Sequence, residues 1–409
     1  MVVYSIYDGD NRVRRYAETL VKRGYQVDAV ALRREGQSKH EVIRGVRIFR
    51  IQRRVRNEKN RLDYLRKLVL FFFRSMFFLM REQTRDRYDL IHVHSVPDFE
   101  VFAAWYPKLT GSKIILDIHD IVPEFYASKF NVSRKSLTFR LLVGAERLSA
   151  AFADHVIAAN HIWHKRLQER SVRESKLTTI LNFPDTSIFQ RGPRSRNDGR
   201  FIMLYPGTLS WHQGVDIAVQ AIALIKDAAP EAEFHIYGAG DQRDALKSQI
   251  ASLGLQERVF IKDPLPIDQI VPVIQNADLG VVPKRSDSFG NEAFSTKILE
   301  FMCMGLPVIV ADTAVDTYYF EESVVKFFHA NDEKSLADAM LLLIRNPELR
   351  SSLAAKADAF VAKYTWDVNQ EGYLDLVDSL VNSAAFRKNQ NDHGRHTTSG
   401  DPTSGNISH

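Results

Sequence analysis

Residues 286–310 read SDSFGNEAFSTKILEFMCMGLPVIV. A polar loop leads into a helical pattern that opens near Ser295 or Thr296. Gly305-Leu306-Pro307 stops that helix before the apolar run at 308–311. Upstream, the apolar run 279–283 ends where the loop begins. The stretch is strand, loop, helix, strand, the unit from which parallel sheets with crossover helices are built. The free N–H groups and positive dipole end of such a helix suit an anion, most simply a phosphate. Glu292 stands before the helix and Glu300 lies inside it; a helical separation of this length rises about 12 Å, enough to bracket a sugar diphosphonucleoside. Ionised carboxylates only accept hydrogen bonds, so one suits sugar hydroxyls and the other ribose hydroxyls. The same spacing also fits Glu292 as a helix cap and Glu300 as the ion-pair partner of Lys297.

The unit repeats outward in both directions. The second half shows further strand patterns at 201–205, 233–237, 259–262 and 324–328, separated by helical patterns. The first half shows them at 2–6, 27–32, 90–93, 113–118 and 155–158, and the polar, turn-rich segment 191–200 reads as a linker. Two open α/β sheets would place the carboxyl ends of their strands, where such sheets bind ligands, against one cleft.

At 409 residues the chain exceeds one ordinary core. Its 45% hydrophobic and 26% charged residues are those of a soluble globular enzyme. The single cysteine, Cys303, excludes an intramolecular disulfide and a cysteine-rich metal site, and fits a reducing compartment. Met1 runs straight into an apolar strand, without the pattern of a signal peptide, so a cytoplasmic location is expected. Between Arg44 and Arg87 stand fourteen Lys/Arg against Glu58, Asp63, Glu82 and Asp86. Within that stretch, the apolar run 68–80 is broken by Arg74 and is shorter than the roughly 20 residues a bilayer span needs. An aromatic helix with basic flanks suits the surface of an anionic membrane; it equally fits a core helix with solvated arginines. No nucleic-acid-binding motif accompanies the charge, so no nucleic-acid partner is expected.

Glu292, seven residues, Glu300, then Gly305-Leu306-Pro307 and a strand resembles the motif of the family 4 retaining glycosyltransferases. The likeness extends over nearly the whole chain, through Asp120-Ile121-Val122-Pro123-Glu124, Asn182-Phe183-Pro184-Asp185, Tyr205-Pro206-Gly207-Thr208 and Ile236-Tyr237-Gly238-Ala239-Gly240. The resemblance implies an α/β GT-B fold, two Rossmann-like doubly wound domains facing a cleft. The expected layout is an acceptor-binding domain at 1–190, the linker, and a nucleotide-sugar-binding domain at 201–366. A C-terminal helix follows at 367–385, with the first domain as its candidate packing partner, and a disordered tail at 386–409. It further implies a UDP- or GDP-linked sugar as co-substrate, no obligatory cofactor or metal, and a glycan or lipid-linked acceptor. Bacterial surface-polysaccharide or lipopolysaccharide synthesis at the inner face of the membrane is the expected setting.

By that resemblance Glu292 and His119 lie beside the transferred sugar, and Glu300 holds the ribose. Ala293, Phe294, Ser295 and Thr296 hold sugar hydroxyls and diphosphate through the backbone. Many members carry Arg and Lys in the first loop of the second domain; here that loop is 207–214, with neither. Gly207 and Thr208 remain as donor-loop candidates, and His212, Lys284 and Arg285 are candidates for the missing charge; Trp211 and His212 as mere loop packing is the alternative. On the acceptor side the candidates are Gly9, Arg12, His94, Asp120 and Glu124. Arg12 also reads as solvated, Glu124 as a helix cap and His119 as a structural histidine. Rival readings are a nucleotide-sugar epimerase or phosphorylase on the same fold, and a non-catalytic scaffold.

Overall fold

The computed structural model describes residues 1–54, 61–130, 132–287 and 289–395. In the first lobe the strands are β1 (Val2–Ile6), β2 (Asp28–Arg33), β3 (His40–Ile43), β4 (Val46–Arg53), β5 (Leu90–His94), β6 (Lys113–Ile118), β7 (His155–Ala158) and β8 (Leu177–Thr179). Its helices are α1 (Asn11–Lys22), α2 (Arg61–Arg85), α3 (Trp105–Leu109), α4 (Val122–Phe130), α5 (Leu137–Phe152) and α6 (His161–Arg170). The sheet order is β3-β4-β2-β1-β5-β6-β7-β8, parallel except for the β3–β4 hairpin. Arg44 and Gly45 both have positive φ, as a tight two-residue hairpin turn requires.

The second lobe contains β9 (Phe201–Pro206), β10 (Ala232–Tyr237), β11 (Val259–Lys262), β12 (Leu279–Val282), β13 (Val308–Ala311) and β14 (Lys326–Phe328), ordered β11-β10-β9-β12-β13-β14 and wholly parallel. Its helices are α7 (Val215–Ile225), α8 (Arg243–Ser252), α9 (Ile267–Gln275), α10 (Thr296–Cys303), α11 (Ala314–Tyr319), α12 (Glu333–Arg345) and α13 (Pro347–Val361). β12 and β13 are buried along their whole length, which is why they read as unbroken apolar runs rather than alternating ones.

A last helix, α14 (Trp366–Arg395), crosses back to the first lobe. Trp366, Tyr373, Leu374 and Val377 join the core that α1 makes with its sheet. The Tyr373 ring stacks on Tyr16 at 4.2 Å, and Trp366 Nε1 donates to Thr19 Oγ1 at 2.8 Å. Burying aliphatic side chains such as Leu374 and Val377 stabilises the fold by about 1.5–3 kcal/mol each. The helix runs past 385 into the stretch expected to be disordered; 396–409 lie outside the described residues.

The fold divides α2 by face. Leu68, Phe71, Phe78 and Leu79 point into the core, while Phe73 and Phe77 are 47% and 63% exposed. It is therefore a core helix with one solvent-facing side. Arg56 and Lys59, part of the basic stretch, lie outside the described residues. No helix among the described residues is long and apolar enough to cross a membrane.

Candidate active site

In each sheet the order reverses direction beside one strand, β1 in the first lobe and β9 in the second. Loops leaving the carboxyl ends of those two strands meet across a cavity of about 560 Å³. Gly9, Arg12, Arg15, His119 and Asp120 line it from the first lobe; Thr208, His212, Ala293, Phe294, Thr296 and Glu300 line it from the second. Close backbone packing shapes the second wall: a Cβ on Gly214 would sit 2.0 Å from the Pro283 carbonyl oxygen.

Helix α10 begins at this wall. Its N-cap Ser295 makes no side-chain cap bond, and the buried Ser295 Oγ has no partner among the described residues. The first-turn N–H groups are thus open to an anion. About one turn on, burial raises the pKa of Glu300, with Lys297 opposing the shift. Burial lowers Lys297 to about 8, with Glu300 opposing in turn. The Lys297 ammonium lies 5.3 Å over the Tyr205 ring and 3.0 Å from where a Gly207 Cβ would stand. It has no hydrogen-bond or ion-pair partner among the described residues. The sequence offers Lys297 only as an ion-pair partner of Glu300; here its ammonium stands against the 207–214 loop, which has no Lys or Arg of its own.

The residues expected to supply that charge have other work. Lys284 is buried, donates to the Ala293 carbonyl at 2.7 Å and pairs with Asp316 at 2.7 Å, so it ties the loop before α10 to α11. Arg285 stacks on Trp211 at 3.6 Å and pairs with Asp216, which fixes the 211–213 turn from behind. Neither lines the cavity, because an internal carboxylate holds each. His212 does line it, edge-on to Phe289 at 5.1 Å, but burial lowers its pKa and favours the neutral ring. Ser295 and Gly207 stand just behind the wall.

Glu292 sits at the seam between lobes rather than on the cavity wall. Arg166 of α6 pairs with it at 2.5 Å, and Asn160 Nδ2 donates to its carbonyl at 3.0 Å. Burial raises the Glu292 pKa against the pull of Arg166 and Arg134. Arg166 also reaches Glu124 at 3.0 Å, and Arg170 holds Glu124 at 2.7 Å. Burial works against the Glu124 charge, but Arg170 and Arg166 outweigh it and hold the pKa below the usual range. Glu124 is therefore a structural anchor, neither a cavity group nor a simple helix cap. The signal for this lay in Arg166 and Arg170, spaced to share one face of a helix.

On the first-lobe wall, Arg12 is buried and grips Asp117 through two bonds, 2.7 and 2.9 Å. Burial opposes the Arg12 charge, yet Asp117 prevails and the pKa is raised. Arg12 Nη1 remains without a partner among the described residues. His94 is fully buried beneath, bonded to the same carboxylate at 3.1 Å and stacked on His92 at 4.2 Å. It does not reach the cavity; the expected acceptor role fails on burial. His119 presents an Nδ1 without a partner among the described residues, and burial raises the Asp120 pKa. Arg15, one helical turn beyond Arg12 and not singled out in the sequence, bonds Asn182; burial lowers its pKa to about 10.

Comparison with known proteins agrees with this architecture. Residues 9–182 match the model of the glycosyl transferase 4-like domain, and 187–360 that of glycosyl transferases group 1. The alpha-D-kanosaminyltransferase of Streptomyces kanamyceticus is 26% identical over 71% of this chain and 78% of its own length. The phosphatidyl-myo-inositol mannosyltransferase of Mycobacterium leprae is 25% identical over 73% and 75%. Among solved structures, HepE of Anabaena in complex with UDP-glucose superposes with a TM-score of 0.70 at 18% identity, covering 92% of this chain and 98% of its own. The chain is a family 4-like glycosyltransferase, and its two parallel-sheet lobes are the GT-B fold.

Proposed function

We propose that the protein is a retaining, hexosyltransferase-type enzyme that moves a sugar from a UDP- or GDP-linked donor to a glycan or lipid-linked acceptor. The observation that carries this reading is a single cavity with an open helix N-terminus, Glu300 and nearby Lys297 on one side and His119, Arg12 and Arg15 on the other. In this reading the α10 N–H groups and Lys297 take the diphosphate and Glu300 the ribose. The relative crystallised with UDP-glucose supports a nucleotide-sugar as co-substrate.

The reaction is a front-face displacement. The bond from the anomeric carbon to the diphosphate oxygen breaks on the face where the acceptor oxygen bonds. The acceptor proton passes to the departing diphosphate, so no protein base is needed. The protein orients the reactants and stabilises charge developing on the leaving group. His119 lies beside the sugar, and Glu292 receives sugar hydroxyls once it releases Arg166. Exposed Phe73 and Phe77, with Arg74 and Arg81, let α2 lie on an anionic membrane, which suits surface-polysaccharide synthesis at the inner face.

Nucleotide-sugars should raise the melting temperature, because a ligand at a hundred times its dissociation constant stabilises the folded state by about 2.7 kcal/mol. No shift with any UDP- or GDP-sugar contradicts the reading. With donor present and acceptor omitted, an epimerised nucleotide-sugar would favour the epimerase rival instead. Glu292→Gln should abolish transfer while leaving nucleotide binding in place.

A further inference from the structure

The outer face of α5 sets bare apolar residues beside cations, two of which have no ion-pair partner among the described residues. Leu137, Leu141 and Leu148 fall on one stripe at helical spacing and are 70%, 65% and 66% exposed. Arg134, Leu137, Arg140, Leu141, Arg147 and Arg170 line a groove of about 640 Å³ there. Arg170 is engaged with Glu124 and Glu146, and Arg147 donates through Nε to the Arg170 carbonyl at 2.8 Å. Arg134 and Arg140 have no ion-pair partner among the described residues. No acidic side chain lines the groove. Leucines and unpaired arginines side by side match an amphiphile with an anionic head, since each half of the ligand meets its own kind of surface.

The groove also leads somewhere. Arg134 lines it and lines a second opening of about 850 Å³ at the mouth of the interlobe cleft. Phe125, Ser210 and His212 line that opening and the cleft itself. Arg134 thus stands between the α5 groove and the cleft, close enough for its charge to act on Glu292.

We infer that the α5 groove binds the phosphate and hydrocarbon of a lipid-linked acceptor, a phosphorylated amphiphile, and delivers its sugar end past Arg134 into the cleft. This rests on the transferase reading and names the acceptor class for it. The arginines fix the phosphate, and Leu137 and Leu141 carry the start of the chain.

The test is calorimetric titration of farnesyl diphosphate, farnesol and inorganic diphosphate into the full chain saturated with UDP, so that the donor site is filled. Farnesyl diphosphate should bind at least about tenfold more tightly than either fragment, and Arg140→Glu should weaken it by about tenfold. Leu141→Asp, at an exposed position that leaves the core alone, should weaken it comparably and serves if the first variant fails to fold. Both variants should keep the parent affinity for UDP. Farnesyl diphosphate binding no tighter than inorganic diphosphate, or indifferent to both substitutions, overturns the proposal. Loss of binding to phosphatidylglycerol vesicles in these variants, with farnesyl diphosphate affinity unchanged, also overturns it, by giving the face to bulk bilayer. Absence of UDP binding in the parent would sink the donor-site reading separately, because the farnesyl diphosphate comparison can still be made without UDP.

Discussion

The two walls of the cleft treat charge differently. On the first-lobe wall, Arg12 is neutralised by Asp117, and Glu124 behind it by Arg166 and Arg170, while Arg15 bonds the neutral Asn182. On the second, Lys297 has no ion pair among the described residues, burial of Glu300 is opposed chiefly by that lysine across one helical turn, with Thr296 and Arg15 adding to it, and the α10 N-terminus is uncapped. A paired wall is already organised and holds its shape without ligand. An unpaired, partly desolvated wall carries a standing cost that a ligand of matching charge relieves. The contrast locates the diphosphate nucleoside on the second lobe in the proposed reaction, and makes the first lobe its rigid counterpart.

The contrast breaks most visibly at Asp117. Asp117→Ala strands the buried Arg12 charge, and removal of one partner from a buried pair costs about 3–5 kcal/mol. Urea denaturation should show that loss; a change under 1 kcal/mol, on the order of an exposed pair, would mean that Arg12 is not committed to Asp117. Arg166→Ala should cost less, about 1–3 kcal/mol, because Glu124 keeps Arg170. In the proposed mechanism it should leave transfer intact or faster, since Glu292 no longer has to release a partner. Collapse of transfer in Arg166→Ala, with fold and nucleotide affinity preserved, would place the arginine itself in the chemistry.

A pH titration sharpens the same comparison. Lys297 sits near 8 in the free protein, so it is charged below that value and loses its proton as pH rises through it. UDP affinity should be full at pH 7 and fall between pH 8 and 10, and Lys297→Ala should flatten that profile. The smallest effect is expected at α2: Phe73→Ser with Phe77→Ser should leave stability within about 0.5 kcal/mol, because both side chains are exposed. Flotation with phosphatidylglycerol vesicles should nevertheless drop in the double variant.

How much of this was legible in the sequence follows from the same physics. All six strands of the second lobe stand where the sequence places them, because parallel strands covered by helices are mostly apolar and Gly or Pro punctuates several of their ends. The β3–β4 hairpin escaped notice. In β4, Arg47 and Arg53 stand on the exposed face while Arg50, on the buried face, is held by Asp8 and Glu41, and the charge masked the strand. β8 is only three residues long. In the site, Glu300, Thr296 and His119 were readable from motif and position. The pairings that remove Lys284, Arg285, His94 and Glu124 from the cavity join residues tens of positions apart, which local sequence does not report. Arg15 had a local signal, one helical turn from Arg12, that went unused.

The most direct test of the account is calorimetric titration of UDP into the parent chain, Lys297→Ala and Glu300→Gln. Charge-assisted hydrogen bonds contribute about 1.5–3 kcal/mol each, so each substitution should weaken UDP by about tenfold to a hundredfold with the fold intact. Parent-like affinity in both variants would contradict the claim that the start of α10 is the diphosphate site.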